Sequence, residues 1–321
     1  LDFFFFLHMA SDTGGHQTYY VPEQSKYPFL ATIGLGMAIV GAGLTMNHVK
    51  AGAESPMSWL LPVGSVFFIG VLWNWFGATI RENRAGLNSP QLKKSYVLGM
   101  QWFIFSEVMF FAAFFGALFY VRFFVVPWLG GEGDHGLANR LWQGFQAAWP
   151  PIQTPQQAVE AAGGAQLMAK QADFAAPEQV VGWMGIPLLN TILLVTSSVT
   201  VHFAHTALKA NKRSALNLWL AVTLILGFTF VGFQAYEYYH AYHELGLTLA
   251  SGIYGSTFFL LTGFHGFHVC LGAVMLTVMF LRASTKGHFT PEDHFGFEAA
   301  SWYWHFVDVV WICLFLFVYI L

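Results

Sequence analysis

The stretch His294-Phe-Gly-Phe-Glu-Ala-Ala-Ser-Trp-Tyr-Trp-His-Phe-Val-Asp-Val-Val-Trp311 opens the last apolar run of the chain, which continues to Leu321. About 20 apolar residues suffice for a helix to cross a bilayer, and this run is long enough. Yet it carries Glu298, His305 and Asp308 among five aromatic neighbours, Trp302, Tyr303, Trp304, Phe306 and Trp311. Ionisable groups inside a span are costly, so they turn toward protein or water and pair with something. Two readings follow. The polar groups form a seam that glues helices together, or they handle a proton or a ligand.

Composition extends that reading to the whole chain. It is 56% hydrophobic, 18% aromatic and 10% charged, where soluble domains carry about 25% charged residues. The class is therefore a polytopic, all-α membrane protein, because lipid offers no partners to open backbone groups. The net charge of -3 gives no basic face for nucleic acid. Cys270 and Cys313 both lie inside apolar runs and read as packed thiols. The segment before Met9 has no basic flank or cleavage pattern, so no signal peptide is expected; Met9 is the natural start, and residues 1–8 carry no functional argument.

Seven spans are expected, at 28–48, 57–80, 95–126, 183–208, 215–243, 252–282 and 297–321. They divide the chain into an N-terminal segment 1–27, helices one and two over 28–80, an inner basic loop 81–94, helix three over 95–126, a long outer loop 127–182, and helices four to seven over 183–321. Pro28, Pro62 and Pro187 fall near span beginnings, where proline costs a helix little. In the long loop, short helices are expected at 137–148 and 155–172.

With seven crossings, one side receives Lys26, Arg81, Arg84, Lys93, Lys94, Lys209, Lys212, Arg213, Arg282 and Lys286. The other receives Lys50, Arg122, Arg140 and Lys170. Ten against four places the N-terminus inside and the C-terminus outside. Small residues recur at packing spacing: Ala112-x-x-x-Gly116 and Ala113-x-x-x-Ala117 in the third span, and Gly34, Gly36, Gly41 and Gly43 in the first. Gly34-x-Gly36 follows no strand and lacks a third glycine, so no dinucleotide fingerprint is read.

Three histidine pairs share helix faces at i, i+3 spacing: His202/His205, His240/His243 and His265/His268. At about 1.5 Å per residue, the first pair falls near the inner surface, the second near the outer one, and only the third is deep. No helix spaces two histidines for stacked haems, and no Cys-x-x-Cys-His occurs. The expectation is satisfied polar residues or interface anchors, with no metal bound by this chain. Glu107, in Phe105-Ser-Glu-Val-Met-Phe-Phe111, lies about 18 Å into its helix, near the bilayer midplane. A carboxyl there must be protonated or paired. His265, His268, His305 and Asp308 lie at comparable depth, so Glu107 is expected to join a buried cluster with the sixth or seventh span, as structural glue or to tune proton movement. Arg81, Glu82 and Arg84 close the second span beside Trp73 and Trp75. That arrangement suits an anionic lipid head group; ordinary positive-inside sorting is the simpler account of it.

The chain resembles subunit III of the haem-copper cytochrome c oxidases. The resemblance rests on Phe105-Ser-Glu-Val-Met-Phe-Phe111; Ile186-Pro-Leu-Leu-Asn-Thr191; Gln234-Ala-Tyr-Glu-Tyr-Tyr239; Gly252-Ile-Tyr-Gly-Ser-Thr-Phe-Phe259 with Thr262-Gly-Phe-His-Gly-Phe-His-Val269; and His288-Phe-Thr290 through His294-Phe-Gly-Phe-Glu298 to Asp308-Val-Val-Trp311. These run in the family's order from about residue 95 onward.

The resemblance implies seven helices, two splayed from five around a lipid-filled cleft, and no haem or copper in this chain. It implies oxidase subunits I and II as partners, cytochrome c reached through subunit II, and bound structural phospholipid. Glu107 matches the family's carbodiimide-reactive glutamate, and Arg81, with Trp73, Trp75 and Glu107, is the matching lipid-contact candidate. His265, His268, His305, Asp308 and Glu298 complete the proton-related candidates, and no residue is assigned to bond chemistry. The expected role is an accessory subunit supporting stability, proton uptake and oxygen access, in a complex that reduces oxygen to water. Quinol-oxidase relatives typically lack the first two helices; a stand-alone transporter using Glu107 and Asp308 would require inverted repeats, which the chain does not display. The long loop 128–182 departs from compact members and favours a bacterial plasma membrane over the mitochondrial inner membrane.

Overall fold

The computed structural model describes residues 24–50, 57–133, 136–164 and 176–321. The described residues contain no β-strand. In chain order the helices are α1 (Tyr27–Lys50), α2 (Leu60–Arg84), α3 (Pro90–Tyr120), α4 (Ala138–Leu141), α5 (Pro155–Ala161), α6 (Ile186–Lys209), α7 (Arg213–Glu244), α8 (Gly252–Ser284) and α9 (Phe295–Leu314). α3 runs on through a π-helical turn, Val121–Val125, into Val126–Leu129, and α9 through a π-helical turn, Phe315–Ile320. Seven of these helices are long and apolar enough to cross a membrane. Prolines sit where the sequence places them: Pro28, Pro62, Pro90 and Pro187 all fall in first turns, where the missing N–H has no partner to lose.

The chain divides into two compact units, up to Gly99 and from Met100. In the first, α1 and α2 lie antiparallel at close range. A Cβ on Gly34 would meet Phe67 and Phe68 at 3.0 Å, one on Gly41 would run into the Leu61 backbone, and one on Gly64 would meet the Ala38 backbone at 2.6 Å. As numbering rises on α1 it falls on α2. Glycine here lets backbones touch, which drives helix association where lipid removes the hydrophobic incentive. Gly36 and Gly43 face open space.

In the second unit, α6 packs on α7, α7 on α8, α8 on α9, and α9 back on α6, closing a ring of four. α3 joins through aromatic edges, Phe110 and Phe114 on Phe264 of α8 and Phe111 on Phe306 of α9. The small residues of α3 do not make this contact. Ala112, Ala113, Gly116 and Ala117 are exposed, and a Cβ on Gly116 would meet nothing within 4 Å. Bulky Phe111 and Leu118 take the inward positions instead. Cys270 also departs from expectation: it is exposed, and Cys313 is half-buried.

Trp304 of α9 holds the ring together. It is 1% exposed. Its indole N–H donates to Ser197 Oγ of α6 at 2.9 Å. Its ring lies against Gly227 of α7 and Gly272 of α8, where an added Cβ would approach to 2.8 and 2.9 Å. One aromatic thus contacts three neighbouring helices.

The loop helices are shorter than expected. α4 is a single turn, because Trp142 leaves helical geometry (φ -106°, ψ 57°) and Gly144 takes φ +86°. α5 stops at Ala161, with Gly163 at φ +79°; the rest of the expected 155–172 helix lies largely outside the described residues. α5 starts with a capping box between Thr154 and Gln157. The expectations for residues 1–8 and Met9 also fall outside the described residues.

Candidate functional site

Glu107 stands on α3 four turns before its π-helical end, and His268 stands on α8. Their side chains meet, with His268 Nε2 2.9 Å from Glu107 Oε2. The other ring nitrogen, Nδ1, lies 2.6 Å from the Phe264 carbonyl one turn earlier. A carbonyl only accepts, so Nδ1 carries a hydrogen. Nε2 then either accepts a proton from a neutral Glu107 or donates one to its carboxylate. In both cases a single proton lies between Nε2 and Oε2, and the pair is neutral as a whole. The side chains are 9% (His268) and 21% (Glu107) exposed. Phe110, Phe111 and Tyr303 surround the imidazole, with Tyr303 stacked at 6.5 Å. The arrangement can hold one proton in apolar surroundings and tie α3 to α8.

The other deep candidates go elsewhere. His265 is fully buried and turns to α9, its Nε2 3.2 Å from the Val307 carbonyl, with its ring against Trp311 at 5.1 Å. His305 points to α6, its Nδ1 3.2 Å from Ser198 Oγ, and Asp308, 7% exposed, interacts with the same serine. Glu298 does not reach the interior: it is half-buried in the first turn of α9, where a carboxylate favours the helix dipole. Asp308 and His305 therefore belong to a polar seam between α6 and α9, together with the Trp304–Ser197 bond and a Trp311 Nε1 to Thr191 Oγ1 bond of 3.0 Å. The structure separates two roles that the sequence had merged. One is a seam of hydroxyls and rings joining antiparallel helices; the other is an acid–imidazole pair on different helices.

The remaining histidines sit at helix ends. His202 and His205 occupy the last two turns of α6, and the His205 ring packs against His294 at 5.4 Å. His240 pairs with Glu244 at 3.1 Å, both substantially exposed. Among the described residues, no three His, Cys, Asp or Glu side chains are grouped so as to hold a metal ion. In the first unit Trp75 stacks on Tyr27 at 6.4 Å while Trp73 is 73% exposed. Arg81, also exposed, lies in the last turn of α2 and reaches back alongside Gly77.

Sequence reasoning passed over one deep carboxyl. Glu237, inside Gln234-Ala-Tyr-Glu-Tyr-Tyr239, is only 2% exposed and accepts a 2.6 Å bond from the Tyr319 hydroxyl. Depth could have found it: it lies seven residues, about 10 Å, inside the end of α7.

Comparison with known proteins covers both units. The family described as cytochrome c oxidase subunit III matches residues 16–133 and 176–321, leaving out the middle of the long loop. The chain is 36% identical over 307 residues to cytochrome c oxidase subunit 3 of Hippopotamus amphibius, covering 95% of this chain and 98% of that one. It is 38% identical to the Carassius auratus protein of the same name over 303 residues (94% and 96%). It is 35% identical to the Arabidopsis thaliana one over 303 residues, with the same coverage. With seven membrane-spanning helices, the Glu107 motif on α3 and near-complete matches on both sides of one loop, the chain belongs to the cytochrome c oxidase subunit III family.

Proposed function

We propose that this accessory subunit of cytochrome c oxidase does no bond chemistry itself and holds no redox centre, the haems and copper residing in subunits I and II. Electrons then come from cytochrome c through subunit II. The observation that carries this reading is the Glu107–His268 bond of 2.9 Å, set among apolar rings between two membrane-crossing helices. Such a pair can store or pass one proton, and it ties two helices; it offers no open coordination position or nucleophile. Arg81, with the exposed Trp73 nearby on α2, is the site for an anionic phospholipid head group, and structural phospholipid belongs to the functional complex.

The basic residues at one set of helix ends set the topology, N-terminus inside and C-terminus outside. The loop segment unmatched by the family supports a bacterial plasma membrane. The mitochondrial inner membrane is the second reading, favoured by the animal and plant sources of the similar proteins.

Purification in mild detergent tests the assignment. The chain should travel with subunits I and II, and after separation it should show no visible haem band while subunit I keeps its own. A haem or copper spectrum that follows the isolated chain overturns the proposal.

A further inference from the structure

At the end of the second unit where α7 stops and α6 begins, three buried polar side chains and one tyrosine form a chain across α6, α7 and α9. Asn190, Gln234 and Glu237 are 0, 7 and 2% exposed. Asn190 Nδ2 donates to Gln234 Oε1 at 3.5 Å, Gln234 Nε2 donates to Glu237 Oε1 at 3.4 Å, and the Tyr319 hydroxyl donates to the same carboxyl oxygen at 2.6 Å. Two buried oxygens are left without a donor, Glu237 Oε2 and Asn190 Oδ1.

What Glu237 lacks is a countercharge: both of its donors, Gln234 and Tyr319, are neutral. The ionisable groups around Glu237 are Tyr238 of α7, Tyr254 of α8 and Tyr319 beyond α9, none of which is cationic. Among the described residues, no lysine, arginine or histidine bonds this carboxyl. A bare carboxylate buried without a countercharge is among the most costly arrangements a fold can hold.

We propose that Glu237 is a second proton-holding carboxyl of this chain, separate from Glu107: it is kept as the neutral acid. A proton on Oε2 removes the uncompensated charge and turns that leftover acceptor into a donor. The Asn190–Gln234 contact joins α6 to α7, while Tyr319 brings in the π-helical turn Phe315–Ile320. The site shares no residue with the Glu107–His268 pair and involves neither α3 nor His268.

Infrared spectroscopy of the intact oxidase decides this. Spectra of the parent complex and of Glu237→Gln are subtracted, in H2O and in D2O. The expected difference is one protonated-carboxyl C=O band, absent from the variant and moving to lower frequency in D2O. Carboxylate stretches in its place overturn the proposal. Because glutamine matches the shape and neutrality of the acid, Glu237→Gln should retain this subunit in the complex, and its loss would also count against a neutral Glu237.

Discussion

Replacing Gly227 by alanine puts a methyl group where the Trp304 ring already stands. The added Cβ would lie 2.8 Å from Cη2 and 3.0 Å from Cζ2, well inside the preferred carbon separation of about 3.5–4.0 Å. Trp304 cannot retreat freely, because the Gly272 backbone lies against its other side, where even an added Cβ would approach to 2.9 Å, and Ser197 holds its N–H. Overpacking of this kind costs about 1–3 kcal/mol. Trp304→Phe alone loses a hydrogen bond and part of a buried ring, also about 1–3 kcal/mol. The two changes share their atoms, since phenylalanine lacks the outer ring edge that the new methyl would strike. The double variant should therefore be less damaged than the two single losses combined, by about 1–2 kcal/mol. Gly232→Ala on the same helix is the control: its Cβ meets nothing within 4 Å, and alanine favours a helix over glycine by up to about 1 kcal/mol. Denaturant unfolding in mixed micelles gives the free energies, and the thermal midpoint of the intact oxidase gives an independent ranking. Additive losses in the double variant, or a Gly232→Ala variant as damaged as Gly227→Ala, would refute the claim that Trp304 is clamped between glycines.

Three further outcomes are expected. Glu107→Gln should leave the haem spectra of the complex intact while lowering proton coupling or the number of turnovers before inactivation; loss of haem signal in a fully assembled complex would contradict the accessory role. Gly64→Leu, whose side chain has to enter the Ala38 backbone, should disrupt the α1–α2 pair, seen as faster proteolysis within 27–84, with 186–320 still protected. Arg122 lies 5.6 Å from the Trp149 ring, a contact worth about 0.5–2 kcal/mol. Arg122→Ala should therefore speed protease cleavage within 136–164 without changing retention of the subunit, and unchanged cleavage would rule out that anchor.

Sequence alone determined the class of this protein, the number of its crossings and their limits to within several residues, as with 252–282 against Gly252–Ser284. Those follow from the length of apolar runs and from prolines and charges at their ends, all local properties that lipid enforces. It also reached the family, through motifs in fixed order, and it placed Glu107 well inside its helix by counting. The tertiary structure decided which partner Glu107 takes, because His268 lies 161 residues away and His265, His305 and Asp308 lie at similar depth. It also decided which faces turn inward. Hydrocarbon is as apolar as a protein core, so composition does not distinguish an outward-facing Ala112, Gly116 or Cys270 from a packed one, whereas Gly227, Gly272 and Gly64 became legible only when an opposing ring or backbone was seen against them. Glu237 could have been reached by the same counting, but not its partner, because the Tyr319 hydroxyl that bonds it lies 82 residues away.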